Sequence, residues 1–195
     1  MSITSMDPTG RCSDPNAVLA LARSFGLYPP DPHEMGPARA LAATRISDAV
    51  VTEEAFAAVQ SVTGASLFVH REDGQVTGVL AFFFFNEMGL TALESGAFDP
   101  SNVDLSLLAK PGETPVGAYA WGFAASTKLG GRAVVAASAA LQDRLFWNIP
   151  VYTRAATADG ERVLYGSLGY ERAPGEDSML AVRPARQTPP VARAS

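Results

Sequence analysis

Two amphipathic stretches near the start of the chain predict helices, and a proline-rich segment separates them. Asp14-Pro15 offers an N-cap and a proline at the first helical position, before an apolar stripe that ends at Gly26. Thr52 can cap a second helix that runs to about Val62. The segment from Tyr28 to Pro37 contains four prolines, which predict an extended or turning connector.

The clearest local pattern is a β-hairpin. Apolar segments at Leu67–His70 and Val76–Phe82 flank Asp73-Gly74, a dipeptide typical of two-residue hairpin turns. The second strand ends in four consecutive phenylalanines, Phe82 to Phe85. Since successive strand residues face opposite sides, this strand is apolar on both faces. We therefore expect it to lie in the centre of a sheet that is covered above and below.

Strands and helices alternate in the C-terminal half of the chain, where glycine and proline separate the apolar runs. The predicted elements are a strand over 116–125, a helix from Gly130-Gly131 to about Phe146, a strand over 151–156, a helix capped by Asp159 that carries Tyr165, and one or two strands within 171–183 around a turn at Pro174-Gly175.

Residues 86–115 are long for a connection and are interpreted as an insertion, with a short helix near 90–95 and a strand near 103–108. The element order predicts a single α/β domain over 14–184, whose central mixed sheet has helices on both faces. The ends, 1–13 and 185–195, are predicted to be disordered.

Composition and charge exclude several classes of protein. The chain has 195 residues, 47% hydrophobic and 18% charged, which is typical of a folded domain. Its net charge of −5 argues against a nucleic-acid-binding surface, which is usually basic. No apolar run approaches the ~18 residues of a membrane-spanning helix. The polar first ten residues and the single cysteine, Cys12, favour a cytoplasmic protein without disulfides.

Two glycine-containing segments carry the candidate chemistry. The first, Lys128-Leu129-Gly130-Gly131-Arg132-Ala133, connects a strand to an alanine-rich helix. A helix N-terminus has unpaired N–H groups and partial positive charge, so phosphates bind there. The second, Leu164-Tyr165-Gly166-Ser167-Leu168-Gly169-Tyr170, ends a helix at a glycine suited to the left-handed C′ position. Their order and spacing resemble the second half of the GNAT superfamily of acyl-CoA-dependent N-acyltransferases, in a divergent member.

The resemblance implies a GNAT-like fold and a binding site for coenzyme A. In the family, Gln/Arg-x-x-Gly-x-Gly/Ala follows the fourth strand and holds the pyrophosphate, and the fourth and fifth strands splay apart around the pantetheine arm. Laid on that pattern, Ser126 stands at the Gln/Arg position, Leu129 at the first glycine and Gly131 at the second. The implied binding residues are Leu129, Gly130, Gly131, Arg132 and Ala133 for the pyrophosphate, and Trp121, Gly122, Phe123, Ala124 and Ala125 for the arm.

Other interpretations of the glycine segment remain. A plain glycine turn between a strand and a helix would have the same residues. A P-loop is disfavoured because no Gly-Lys-Ser/Thr follows, and a dinucleotide-binding turn is disfavoured because GxGxxG is absent.

The resemblance also implies a general acid. Many family members carry Leu-Tyr-x-x-x-Gly-Phe, whose tyrosine protonates the departing coenzyme A thiolate; Tyr165 matches it, with Tyr170 in place of phenylalanine. A phenol with a pKa near 10 stays protonated at neutral pH, whereas a thiol has a pKa of about 8.5. Ala158 replaces an asparagine that is frequent in the family. The alternative is an amphipathic core tyrosine.

A general base is missing from the predicted fourth strand, because residues 116–125 contain no Asp, Glu or His. His70 is expected to point outward from its strand, and two distant histidines and one cysteine do not form a metal site. We therefore expect no metal. The remaining acids lie in the insertion and are more typical of solvated positions: Glu87, Glu94, Asp99, Asp104 and Glu113.

Two functions from different classes fit these residues. The first is an N-acyltransferase that moves an acetyl or other acyl group from acyl-CoA, its co-substrate, to a small-molecule or peptide amine by direct attack. The second is a non-catalytic GNAT-fold protein that binds coenzyme A or a protein partner. The aromatic residues have two interpretations, the lining of an acyl groove or ordinary sheet core; they are Phe82–Phe85, Trp121 and Phe123. The insertion is expected to border the acceptor site. The oligomeric state stays open, a homodimer included.

Overall fold

The computed structural model describes residues 14–45, 52–110, 112–174 and 179–188. The predictions of disorder for 1–13 and for the last residues, 189–195, lie outside these ranges. Beyond the predicted domain boundary at residue 184, the described chain stays attached to the domain. The backbone N–H of Arg186 donates to the carbonyl oxygen of Trp147 at 2.7 Å.

One mixed sheet organises the described residues. Its seven strands are β1 (Leu27–Tyr28), β2 (Leu67–Glu72), β3 (Gln75–Phe85), β4 (Gly117–Ala125), β5 (Val151–Arg154), β6 (Glu171–Arg172) and β7 (Leu180–Arg183). They lie in the order β1-β2-β3-β4-β5-β7-β6. Every neighbouring pair is antiparallel except β4 and β5, which run parallel.

Helices cover both faces of the sheet. We call the first face the one on which Val18, Val134 and Leu164 pack, and the second face the one on which Ala38, Phe56 and Leu93 pack. The predicted α/β architecture is confirmed. On the first face lie α1 (Pro15–Arg23), α5 (Lys128–Arg144) and α6 (Ala158–Ser167), and on the second lie α2 (Met35–Arg45), α3 (Glu53–Thr63) and α4 (Glu87–Glu94).

The local signals for α1, α3 and the hairpin are confirmed. The side chain of Asp14 accepts the N–H of Ala17 at 3.1 Å, and Thr52 caps α3 in the same way. In the hairpin turn, Asp73 and Gly74 have φ values of 50° and 73°, as a type I′ turn requires.

Within the described residues, no helix combines the length and the apolar character needed to cross a bilayer.

The phenylalanine run is the centre of the core. Phe82 to Phe85 are each at most 4% exposed. Phe82 and Phe84 pack on the first face, and Phe83 and Phe85 on the second. Of the two interpretations of this run, sheet core is therefore the correct one.

The proline-rich connector is shorter than predicted, because α2 begins inside it. Pro32 starts a 3-10 turn that ends at Glu34, and α2 follows at Met35. Pro37 lies in the first turn of α2, where its missing N–H breaks no intrahelical bond. A proline at that position is compatible with a helix, so the prediction of an extended or turning connector was wrong from Met35 to Pro37.

The insertion contains its predicted helix but not its predicted strand. Asn86 caps α4 by accepting the N–H of Gly89 at 3.0 Å, so the helix begins earlier than expected. Residues 105–107 form a 3-10 turn instead of a strand, and only an isolated bridge joins Leu108 to Phe85. The carboxylate of Asp104 accepts the N–H of Ser106 at 2.8 Å, a local bond that competes with strand pairing.

Candidate functional site

The candidate site lies where β4 and β5 part. Pairing between these parallel strands runs only from Ala118 and Val151 to Ala120 and Thr153. β4 then continues to Ala125, and no described strand pairs with it on that side. The splay between the fourth and fifth strands that the resemblance implied is therefore present, and the backbone of β4 beyond Ala120 borders a groove.

This groove has a volume of about 510 Å³, within the usual range for small-molecule sites. One wall is β4 with α5, and the other is the end of β5 with α6. Most of the lining side chains are small or apolar. They are Ala120, Trp121, Phe123, Ala124, Ala125, Thr127, Gly131, Val134, Val135, Thr153, Arg154, Ala155, Ala156, Thr157, Asp159, Gly160, Val163 and Leu164.

Two helix N-termini line the groove, that of α5 after β4 and that of α6 after β5, and we call this part of the groove the mouth. Thr127 caps α5 and accepts the N–H of Gly130 at 3.0 Å; Thr157 caps α6 and accepts the N–H of Gly160 at 3.0 Å. Each N-terminus carries partial positive charge, about half an elementary charge. Two such ends on one groove favour an anionic ligand.

The sequence contained a signal for this arrangement that was not used. Both helices begin with Thr-x-x-Gly, at Thr127 and at Thr157. The prediction that Asp159 caps α6 was wrong, because Thr157 is the cap and Asp159 lies in the first turn. The prediction of a glycine turn before α5 was also wrong: the helix begins at Lys128, so Gly130 and Gly131 belong to its first turn.

The two adjacent glycines face different surroundings. A Cβ at Gly130 would lie 2.6 Å from the carbonyl oxygen of Thr77 on β3, so this glycine allows α5 to approach the sheet. A Cβ at Gly131 would meet no described atom closer than the Cβ of Ala125 at 3.7 Å. Gly131 lines the groove, whereas Gly130 is buried against the strand.

On the side of β2, a carboxylate fixes the α5 cap. The hydroxyl of Thr127 donates to Glu72 while it accepts the N–H of Gly130. The hydrogen bond from Thr127, and next that from Thr77, hold the pKa of Glu72 below its usual range. His70 Nδ1 lies 2.9 Å from the Thr77 hydroxyl. His70 is only 8% exposed, so the expectation of an outward-facing histidine was wrong.

The predicted coenzyme-binding residues fall into two sets. Lining residues are Trp121, Phe123, Ala124, Ala125 and Gly131. The others, which are not among the described lining residues, are Gly122, Leu129, Gly130, Arg132 and Ala133.

Each residue of the second set has another environment. Gly122 pairs with Ala81, and its Cβ would lie 2.8 Å from the Cβ of that residue. Leu129 is 56% exposed, Arg132 is exposed, and Ala133 packs on the first-face core.

Tyr165 lies on α6 but is not among the described residues that line the groove, and it is 38% exposed. Val163 and Leu164 do line it. At 3.6 residues per turn, Tyr165 is rotated about 200° from Val163 and about 100° from Leu164. Gly169 has the predicted left-handed conformation, with φ of 71°. The catalytic role of Tyr165 stays a prediction.

The insertion packs on the second face, opposite α5 and α6, and none of its described residues lines the groove. The expectation that it borders the acceptor site was therefore wrong. Glu94 accepts a hydrogen bond from the Tyr152 hydroxyl at 2.6 Å, and burial with this carboxylate raises the pKa of Tyr152. Asp99 and Asp104 have lowered pKa values because they accept local bonds from Ser101 and Ser106. Among the described lining residues, Asp159 is the one carboxylate.

A cluster of possible metal ligands lies elsewhere, before α2. Asp31, His33 and Glu34 bring ligand atoms within 4.8 Å of one another. Arg71 on β2 already binds both oxygens of Glu34 at 2.5 Å and lies 3.9 Å from Asp31. Because a guanidinium neutralises this cluster, we assign no metal site to it.

Comparisons with known proteins give likeness in structure only. No protein-family model and no curated protein matches the sequence. Ard1 from Thermoplasma volcanium is 14% identical, with 80% of this chain and 92% of that chain covered and a TM-score of 0.45. The histone acetyltransferase HPA2 and related acetyltransferase from Corynebacterium glutamicum is 15% identical, with 82% of this chain and 96% of that chain covered and a TM-score of 0.45.

The GphF GNAT-like decarboxylase in complex with isobutyryl-CoA is 12% identical, with 73% of this chain and 72% of that chain covered and a TM-score of 0.46. Identities and TM-scores this low give no information about activity. The GNAT-like fold rests on the chain's own topology, a mixed sheet whose parallel fourth and fifth strands part between helices on both faces.

Proposed function

We propose that this chain binds an acyl-CoA in the groove between β4 and β5 and transfers the acyl group to an amine. One observation carries the proposal: two threonine-capped helix N-termini line the mouth of a groove of about 510 Å³. Such a pair of positive ends suits a pyrophosphate, and the mostly apolar lining suits an uncharged arm.

In this proposal the pyrophosphate binds at the mouth, near Thr127, Gly131, Thr157 and Gly160. The first N–H groups of α5, at Lys128 and Leu129, supply donors, since the start of a helix has N–H groups without intrahelical partners. The N–H groups of Gly130 and Gly131 bond to the side chain and the carbonyl oxygen of Thr127. The pantetheine arm follows β4 from Ala125 to Trp121. Four residues of strand span about 13 Å, along which unpaired backbone groups can bond with the amides of the arm.

The charges near the mouth support an anionic ligand. The first turn of α5 contains Lys128 and no acidic residue, although helices generally favour acids there. Arg132, four residues after Lys128, is also exposed. Asp159 opposes them on the α6 side, where Arg162 forms an ion pair with it.

The proposed reaction is direct attack. The amine nitrogen forms a bond to the thioester carbonyl carbon, the carbon–sulfur bond breaks, the thiolate gains a proton and the ammonium loses one. The resemblance offers Tyr165 as the proton donor. Its hydroxyl must then reach the sulfur when the acyl-CoA is bound, and catalytic hydrogen bonds often become short only in the complex. The acceptor is a small-molecule or peptide amine, left unidentified by the lining residues.

The second candidate is coenzyme A binding without transfer. It is favoured by the position of Tyr165 outside the described lining and by the ion pair that engages Asp159, the groove's one described carboxylate. Under this alternative the groove and its mouth have the same ligand, but no group removes the proton from the amine.

One experiment separates the candidates. The purified chain is incubated with acetyl-CoA and a panel of amines, and free thiol is measured together with the mass of each product. Thiol release that depends on an amine and yields the acetylated amine supports the transferase. Binding of coenzyme A by calorimetry without turnover supports the second candidate. No binding by the wild-type chain would contradict both.

A further inference from the structure

One large residue, Trp121, lines the groove at its inner end, and its side chain packs against the second-face core. Ala120 and Thr153 are the last paired residues of β4 and β5, and the Thr153 hydroxyl donates to the Ala120 carbonyl at 2.6 Å. Trp121 is the next residue of β4 and lines the groove. The strands part beyond Ala120 and Thr153, and we call this end of the groove its apex.

The backbone places Trp121 at the apex through a bulge. On β3, Ala81 pairs with Gly122 and Phe82 pairs with Ala120, so Trp121 opposes neither residue. A bulge of this kind changes the direction of a side chain and increases the local twist. The side chain of Trp121 therefore owes its position to the backbone of β4.

Two aromatic rings then hold the indole in place. Phe83 of β3 stacks on it, with ring centroids 5.2 Å apart and planes 10° apart. Phe56 of α3 meets it edge-on, with centroids 4.6 Å apart. Because contacts from two different elements fix the ring, it cannot swing aside without losing both.

We propose that Trp121 sets the length of the acyl group that the groove accepts. This inference rests on the proposed function, which places the pyrophosphate at the mouth and the thioester near the apex. An acyl chain longer than acetyl then extends toward a fixed indole. Of the other lining residues near the apex, Ala120, Thr153 and Ala155 are small. The guanidinium of Arg154 donates to the Tyr119 hydroxyl at 3.3 Å, so Trp121 is the side chain that limits the available length.

The test uses calorimetric titration with three probes: coenzyme A, acetyl-CoA and hexanoyl-CoA. The wild-type chain is expected to bind coenzyme A and acetyl-CoA similarly and hexanoyl-CoA at least tenfold more weakly. In Trp121→Ala the order reverses, because each methylene buried in the vacated space tightens binding by about fourfold.

Two further variants keep the test decisive. Trp121→Leu retains apolar packing against Phe56 and Phe83, and serves if the alanine variant does not fold. Phe123→Ala removes another aromatic lining residue from β4, nearer the mouth, and should change the affinity for all three probes alike.

Unchanged preference between acetyl-CoA and hexanoyl-CoA in a folded Trp121 variant would overturn this inference while leaving the proposed function intact. Equal loss of preference in Phe123→Ala would also overturn it, since the selection would then not depend on the apex. Failure of the wild-type chain to bind any of the probes would overturn both the proposed function and the inference.

Discussion

The adjacent glycines of α5 give a matched pair of substitutions, Gly130→Ala and Gly131→Ala. Both sites lie in the first turn of the same helix. Alanine is favoured over glycine in a helix by at most ~1 kcal/mol, and this gain applies to both variants. The difference between their stabilities therefore reports what each new methyl group contacts.

At Gly130 the new Cβ would lie 2.6 Å from the Thr77 carbonyl oxygen and 3.0 Å from its carbon. The same oxygen accepts the N–H of Ser126 at 3.0 Å. The new methyl group and the Thr77 carbonyl can separate only if α5 shifts away from β3, and overpacking of this kind costs about 1–3 kcal/mol. At Gly131 the nearest atom lies at 3.7 Å, an ordinary contact. We expect Gly130→Ala to be less stable than Gly131→Ala by ~1–3 kcal/mol.

Urea unfolding of both variants and the wild-type chain measures this difference. With an m-value of about 2 kcal/mol/M, the midpoint of Gly130→Ala should lie about 0.5–1.5 M below that of Gly131→Ala. Gly131→Ala should match or exceed the wild-type midpoint. Equal midpoints for the two variants at equal m-values would refute the close packing of α5 on Thr77.

Three further predictions concern charge and catalysis. The hydrogen bond from Arg71 is the largest cause that holds the pKa of Glu34 below 4.5, so the stability from this pair is complete above that pH and is lost as the pH falls through the lowered pKa. Glu34→Gln should lower the free energy of unfolding by about 2 kcal/mol at pH 7, and this free energy should then fall less steeply as the pH is lowered. A variant whose free energy of unfolding in urea has the same pH dependence as the wild type would contradict this. Asp159→Asn removes a negative charge from the groove and should tighten coenzyme A binding by about threefold to tenfold, with a smaller gain at high salt; unchanged affinity at low ionic strength would count against the mouth as the phosphate site. Tyr165→Phe should lower kcat about 100-fold or more without changing the affinity for coenzyme A, and an unaltered kcat on a confirmed substrate would show that the hydroxyl is idle.

The sequence predicted those elements whose signals are local. The hairpin, the caps of α1 and α3 and the central position of β3 each depend on residues within one or two turns or strands, and each is confirmed. The start of α2 was missed because Pro37 is compatible with either a helical first turn or a connector. The strand expected near 103–108 was lost to a local bond of Asp104, which periodicity does not show.

The site was predicted in part. A glycine segment after β4 indicated the end of the sheet at which the groove lies, but spacing could not tell that Gly130 packs on the strand and Gly131 faces the groove. The sequence of α6 likewise does not show which of its residues line the groove. Leu164 and Tyr165 are neighbours, and the rotation of the helix about its axis decides that Leu164 lines the groove and Tyr165 is not among the described lining residues. These choices depend on how each helix packs on the sheet, which is a long-range property.

The most direct test of the central claim is a calorimetric titration of coenzyme A into the wild-type chain, Gly131→Ala and Gly131→Glu. The account predicts saturable binding of one coenzyme A per chain for the wild type and retention of that binding in Gly131→Ala. In Gly131→Glu binding should be lost, because a carboxylate would stand at the mouth against the pyrophosphate. Binding of equal affinity in a folded Gly131→Glu variant, or no binding by the wild-type chain, would contradict the claim that this groove is a coenzyme A site.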